Sequence, residues 1–169
     1  MKSTAPRLPA IALLVAIALL PGCRKAQDNA VAQALERATG AKVDKDGDTV
    51  TVKTDKGELK VATAENGGSV ALPAGFPSDI YLPADNKVAS AMDMAGVQMV
   101  NLTTPRPLAQ VSGEVEETMQ AQGWKREMAM QADGGNTLMY SKDKRQVVYQ
   151  LLKGEAGGTQ LAIRTGPAG

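Results

Sequence analysis

The stretch "KREMAMQADGGNTLMYSKDKRQVVYQLLKGEAGGTQLAIRT", Lys125–Thr165, decides the fold. It holds the runs "KREMAMQA", "NTLMYSK", "RQVVYQLLK" and "TQLAIRT", each rich in residues that suit a pleated, half-buried surface. Their separators, "DGGN", "DK" and "GEAGG", are too short for crossover connections, so the runs predict strands joined by antiparallel hairpins. Upstream, "KVASAMDMA" and "VQMVNLT" flank Gly96 and predict another strand pair. Between the two groups lies "PRPLAQVSGEVEETMQAQG". Leu108, Val111, Val115 and Met119 form one apolar stripe on it, with Glu114 and Glu117 pointing away, which is the pattern of a helix lying on a sheet. Thr104 as N-cap and Pro105 at the first position place its start, and Gly123 with Trp124 behind it places its end. The expected module over 87–166 is therefore β-β-α-β-β-β-β, an α+β antiparallel sheet with one amphipathic helix. A single helix covers only one face of such a sheet and leaves the other to solvent or a partner.

Before this module, "DTVTVKTDKGELKVA" alternates Val50 and Val52 with Thr and Lys, turns through "TDKG", and resumes with Leu59 and Val61. It predicts a β-hairpin within 41–66, with Gly57 at a position needing positive φ. The segment 67–86 is rich in proline and glycine and reads as an extended linker lying on the module, anchored by Phe76, Ile80 and Leu82. "RKAQDNAVAQALERATG" carries Val31, Leu35 and Ala38 at helical spacing, so a short helix is expected over Gln27–Thr39.

The chain begins differently. Lys2 and Arg7 precede the unbroken apolar run "IALLVAIALL", Ile11–Leu20, which as a helix spans roughly 15 Å, half of what a bilayer core of about 30 Å demands. That is the pattern of a signal-peptide core over 1–22 and not of a membrane span. The run ends in "LPGC", Leu20–Cys23, and Cys23 is the single cysteine of the chain. "LPGC" resembles the lipobox of bacterial lipoproteins, which implies a lipid thioether on Cys23, cleavage before it, and anchorage of residues 23–40 at a membrane of the cell envelope. The residue after Cys23 is Arg24 and not the Asp associated with inner-membrane retention in some Gram-negative bacteria. That favours an outer membrane, facing the periplasm, in such a cell.

The resemblance extends further. "VAQALERATGAKVDKDGDTVTVKTDKGELKV" and "LPAGFPSDIYLPADNKV" are similar to a group of uncharacterised bacterial lipoproteins. In these a short helix and hairpin precede an "FP-x-D-h-x-LP" segment and a small sheet module whose helix ends in Gly-Trp. The likeness implies the architecture and carries no activity.

Composition excludes several functions. The net charge is +1 at pH 7, and loss of Lys2 and Arg7 with the leader leaves 17 basic against 18 acidic residues, so no basic stripe for nucleic acid is expected. There is no histidine, and acylation of Cys23 removes the sole thiol, so disulfides, Cys/His metal sites and a histidine base are ruled out. "DKDGD", Asp44–Asp48, has alternating carboxylates but carries Thr49 and Asp55 where a calcium loop of the EF-hand type needs Gly and Glu, so it reads as a polar turn. Glu114, Glu116 and Glu117 read as a solvated helix flank, and Ser141 and Lys142, as strand neighbours, point to opposite faces. No catalytic residues and no cofactor are assigned, and the chain is not expected to be an enzyme.

Two features remain. Met92 and Met94, like Met128 and Met130, lie two apart on predicted strands, so each pair shares a face, with Met99, Met119 and Met139 able to join. Thioethers suit Cu(I), but methionine also fills irregular cores, and aromatics amount to only 3% here. Packing is the first reading of these pairs and soft-metal binding the alternative. Trp124, Tyr140 and Tyr149 suit a recognition patch and a core equally. The function expected is that of a lipid-anchored, non-enzymatic module whose open sheet face binds or scaffolds a protein partner in the envelope.

Overall fold

A computed structural model describes residues 42–46, 48–54, 57–64 and 67–168. Cys23, the leader over 1–22 and the helix expected over Gln27–Thr39 lie outside the described residues. The strands are β1 (Lys42–Asp46), β2 (Thr49–Thr54), β3 (Gly57–Thr63), β4 (Lys87–Met94), β5 (Val97–Thr104), β6 (Lys125–Ala132), β7 (Gly135–Lys142), β8 (Arg145–Lys153) and β9 (Thr159–Pro167). One helix, α1 (Leu108–Ala121), connects β5 to β6. The strands form a single antiparallel nine-stranded sheet in the order β1-β2-β3-β4-β5-β9-β8-β7-β6. The hairpin expected over 41–66 is present as β2 and β3. It is preceded by a further strand through Asp44 and Asp46, and because β3 pairs with β4 it continues the same sheet.

The order follows from lengths. The 14 residues of α1 extend about 21 Å, enough to carry the chain across the four strand spacings, about 19 Å, that separate β5 from β6. From that far edge β6, β7, β8 and β9 meander back until β9 pairs with β5. Ala95 and Gly96 have φ of 50° and 86°, and Asp143 and Lys144 have 49° and 60°. Two consecutive positive φ values give the primed turn whose twist matches a tight hairpin. At Gly158, where the chain enters β9, a Cβ would stand 2.5 Å from the Thr104 carbonyl oxygen, so only glycine lets these two backbones approach.

The helix begins later than its sequence suggests. Thr104 is the last residue of β5, paired with Thr159, and Pro107 occupies the N-cap with no side-chain cap. The reason is Pro107 itself, which keeps the preceding Arg106 out of the helical region, so no turn can start until the proline is passed. The C-terminus follows expectation. Gly123, at φ 81°, donates its N–H to the Gln120 carbonyl at 2.9 Å, and Trp124 donates to the Met119 carbonyl at 2.9 Å. This is the glycine-terminated hydrogen-bond pair that satisfies the last carbonyls of a helix.

Val111, Val115 and Met119 of α1 pack on Val100, Leu102, Leu138, Tyr140, Val147, Tyr149, Leu151, Leu161 and Ile163 of the sheet. The segment 67–86 lies on the same face as a strap, with Ile80 buried and Phe76, Tyr81 and Leu82 partly so. Trp124, Tyr140 and Tyr149 all belong to this core, so their alternative role as an exposed recognition patch is corrected. The rings of Tyr140 and Tyr149 meet edge to face at 6.2 Å. Helix and strap together cover one face of the sheet, and among the described residues the opposite face carries neither.

Candidate functional site

Residues directly opposite one another on neighbouring strands point to the same side, so register alone defines the uncovered face. The row Val50, Val61, Met92, Met99, Arg164, Val148, Met139, Met128 crosses the sheet in unbroken register from β2 to β6. At about 4.8 Å per spacing it runs roughly 34 Å. Positions two residues along add Val52, Leu59, Met94, Val97 and Met130, and Leu152 stands four residues beyond Val148 on the same face. Met94, Met130 and Leu152 are 52%, 59% and 54% exposed, values that set them apart from the core on the other side. The hairpin valines, which as a sequence seem to serve the hairpin alone, thus extend an apolar band begun by methionines of the module.

This band is large and soft. Thioether side chains are unbranched and polarizable and can remodel around an apolar surface, which is why methionine recurs at adaptable binding faces. Its single charge in the row is Arg164, exposed and without an ion pair among the described residues. Polar residues edge it: Asn101 Nδ2 donates to Ser90 Oγ at 3.0 Å, and Ser141 Oγ donates to Glu127 Oε1 at 2.6 Å. The Ser141 hydrogen bond, with Lys125 beside it, holds the Glu127 carboxyl below its ordinary range.

The structure places the sequence-derived methionines as follows. Met92 and Met94 share this face on β4, and Met128 and Met130 share it on β6, but β5, β9, β8 and β7 lie between, a separation of about 24 Å. The two pairs therefore do not meet. Each instead acquires a neighbour across one strand spacing: Met99 stands opposite Met92, and Met139 stands opposite Met128. Met119 lies apart from all of these, on α1 and buried against the other face.

On the covered face, a cleft of about 680 Å³ opens between the hairpin and the strap. Val70, Leu72, Ala62 and Ala91 supply apolar walls, and Glu58, Lys60 and Asp93 stand at its polar side. Lys60 Nζ lies 2.9 Å from Glu58 Oε1, a contact that lowers the Glu58 pKa and raises that of Lys60. Gln98, 8% exposed, donates from Nε2 to Asp93 Oδ2 at 2.9 Å and to the Ala74 carbonyl at 3.0 Å, tying strap to strand. Lys60 balances one of the two carboxylates, so the polar side of the cleft keeps a net negative charge. Among the described residues no cluster of three or more Asp, Glu, His or Cys could hold a metal, and no helix is long and apolar enough to cross a membrane.

The remaining charge clusters are structural. Arg106 Nη1 donates to both Glu114 oxygens at 2.8 Å while its Nε reaches Asp85 at 2.8 Å, and Tyr81 donates its hydroxyl to Glu114. Burial and the Glu114 hydrogen bond together push the Tyr81 pKa up. These contacts fasten the strap to the start of α1.

Comparison with known proteins found no matching family model, no matching curated protein and no matching solved structure.

Proposed function

We propose that this protein is an envelope lipoprotein, tethered through Cys23, whose uncovered sheet face docks a protein partner. The observation that carries the docking is the apolar row from Val50 to Met128 with Arg164 in its middle. Burying a band of this kind is favourable at about 25 cal/mol per Å² of apolar surface. A lone exposed cation within it selects a partner whose apolar surface carries a carboxylate, since unmatched charge is costly to bury. The tether is supported by the run Ile11–Leu20 followed by "LPGC". One acyl chain holds a protein only marginally and two or more hold it stably, so diacylation at Cys23 suits a permanent location.

Two experiments test the two halves separately. Metabolic palmitate labelling is expected to mark the wild type and to be lost in Cys23→Ser, with the variant released from membranes on fractionation; an unlabelled wild type removes the tether. For docking, the acylated protein is cross-linked in intact envelopes and its partner identified. Met99→Glu and Arg164→Glu are each expected to lose that same partner by about tenfold or more, the cost of one misplaced charge at an interface. Glu117→Lys, on the solvent side of α1, should keep it. Equal recovery with all three variants excludes the face.

A further inference from the structure

We infer that Met128, Met130 and Met139 form a thioether site for a soft monovalent metal ion, Cu(I) or its chemical analogue Ag(I). Met128 on β6 stands directly opposite Met139 on β7, and Met130 follows two residues along on the same face. Sheet geometry sets the Cβ atoms of the facing pair about 5 Å apart and those of the other two pairs about 7 Å apart. Each sulfur is two bonds beyond its Cβ on a flexible stem, so three sulfurs can close on one ion above the sheet. The strand also bulges: Glu127 is the extra residue between Arg126 and Met128. Such an irregularity re-aims the side chain that follows it.

Chemistry narrows the ion. The only donors presented by this trio are uncharged sulfurs, which favour soft, low-charge cations over Ca²⁺, Mg²⁺ or Mn²⁺. The chain has no histidine to compete for copper. Exposure supports access, since Met130 is 59% exposed and Met128 and Met139 are half-buried.

The opposite end of the face provides an internal contrast. Met92, Met94 and Met99 repeat the same arrangement on β4 and β5, but Met99 stands directly opposite Arg164. A fixed positive charge on the adjoining strand opposes an incoming cation there, whereas Met139 has Val148 as its neighbour on β8. The metal therefore goes to the β6–β7 trio. This site does not require protein docking, and docking does not require the metal.

The test is anaerobic titration of the full acylated protein in detergent with Cu(I) held by a competing chelator, repeated with Ag(I) alone. One ion per chain is expected to bind at micromolar Kd or tighter. Replacing a mere supporting group around a metal costs about 10–100-fold in affinity, so the triple variant M128L/M130L/M139L is expected to weaken binding more than about 100-fold. M92L/M94L/M99L should bind the ion as the wild type does. In the wild type, Ag(I) should shift the ε-methyl carbon resonances of Met128, Met130 and Met139 ahead of the other methionines, a readout independent of variant folding. Binding no tighter than millimolar, first shifts at Met92, Met94 and Met99, or unchanged affinity in M128L/M130L/M139L overturns the assignment.

Discussion

Tyr149→Ala is expected to lower the free energy of unfolding by about 4 kcal/mol, the range seen when a large aromatic is deleted from a packed core, and the melting temperature by more than about 10 °C. Tyr149 is fully buried on β8, flanked across strands by Leu138 and Ile163 and edge-on to Tyr140. Its hydroxyl donates to the Tyr81 carbonyl of the strap at 3.1 Å and lies 3.2 Å from Met119 Sδ of α1, so one side chain joins sheet, strap and helix. Burial pushes its pKa up strongly, keeping the hydroxyl protonated as a donor. Tyr149→Phe separates volume from hydrogen bonding and should cost about 1–2 kcal/mol, because the Tyr81 carbonyl loses its partner. Tyr140 is the matched control. It is equally buried, but its hydroxyl has no hydrogen-bond partner among the described residues, so Tyr140→Phe should cost about 0.5 kcal/mol or less. Urea unfolding of the three variants decides the matter, and equal costs for the two Phe substitutions would remove the hydroxyl's role in joining the layers.

The same residues indicate how much of the molecule can be read from its sequence. The period-two alternation of Val147, Tyr149 and Leu151, cut by Asp143 and Lys144, is a local signal, and the strands it predicts are present. The end of α1 at Gly123 is local too. Its beginning differs from the local signal because Thr104 and Pro105 mark a start only when no second proline follows, and Pro107 denies Arg106 the helical conformation. Strand order is not local at all. That β9 inserts between β5 and β8, while β6 goes to the edge, depends on pairings between residues far apart in the chain. For the same reason the sharing of a face by Met92 and Met94 was legible from spacing. Their separation from Met128 and Met130, and the alignment of Val61 with Met92 and of Arg164 with Met99, needed the register. Trp124, Tyr140 and Tyr149 illustrate the remaining ambiguity: composition marks them as anchors, and only the side on which α1 packs makes them core.

Asp79→Asn is expected to destabilise the fold by about 2–3 kcal/mol and to remove part of its sensitivity to acid. Asp79 is the acid of "FPSDIYLP", and the structure gives that segment a physical task. Its carboxylate accepts Arg145 Nη1 on Oδ1 at 3.0 Å and Arg145 Nη2 on Oδ2 at 2.8 Å, with Lys142 Nζ 3.1 Å from Oδ2. Arg145 lies 4.8 Å from the centre of the Trp124 ring, and the indole N–H of Trp124 donates to the Asp79 carbonyl at 2.9 Å. Strap, helix end and the β7–β8 turn are thus held by one residue. Breaking a fully buried ion pair costs about 3–5 kcal/mol, and the 22% exposure of Asp79 lowers that through solvent screening. The Arg145 hydrogen bonds, followed by that from Lys142, hold the Asp79 carboxyl well below the usual range. A folded-state pKa below the unfolded value of about 3.9 means that this stabilisation is complete above about pH 5 and is lost as the pH falls through 4 and further. Glu114 and Glu127 are shifted in the same direction, so the wild type loses stability in acid for several reasons. The difference between wild type and Asp79→Asn isolates one of them: the two stability curves should lie apart at pH 7 and converge below pH 4. A gap that persists unchanged to pH 2 would mean that Asp79 acts through its shape and not its charge. The strap would then be held by Ile80 and the backbone contact to Trp124 alone.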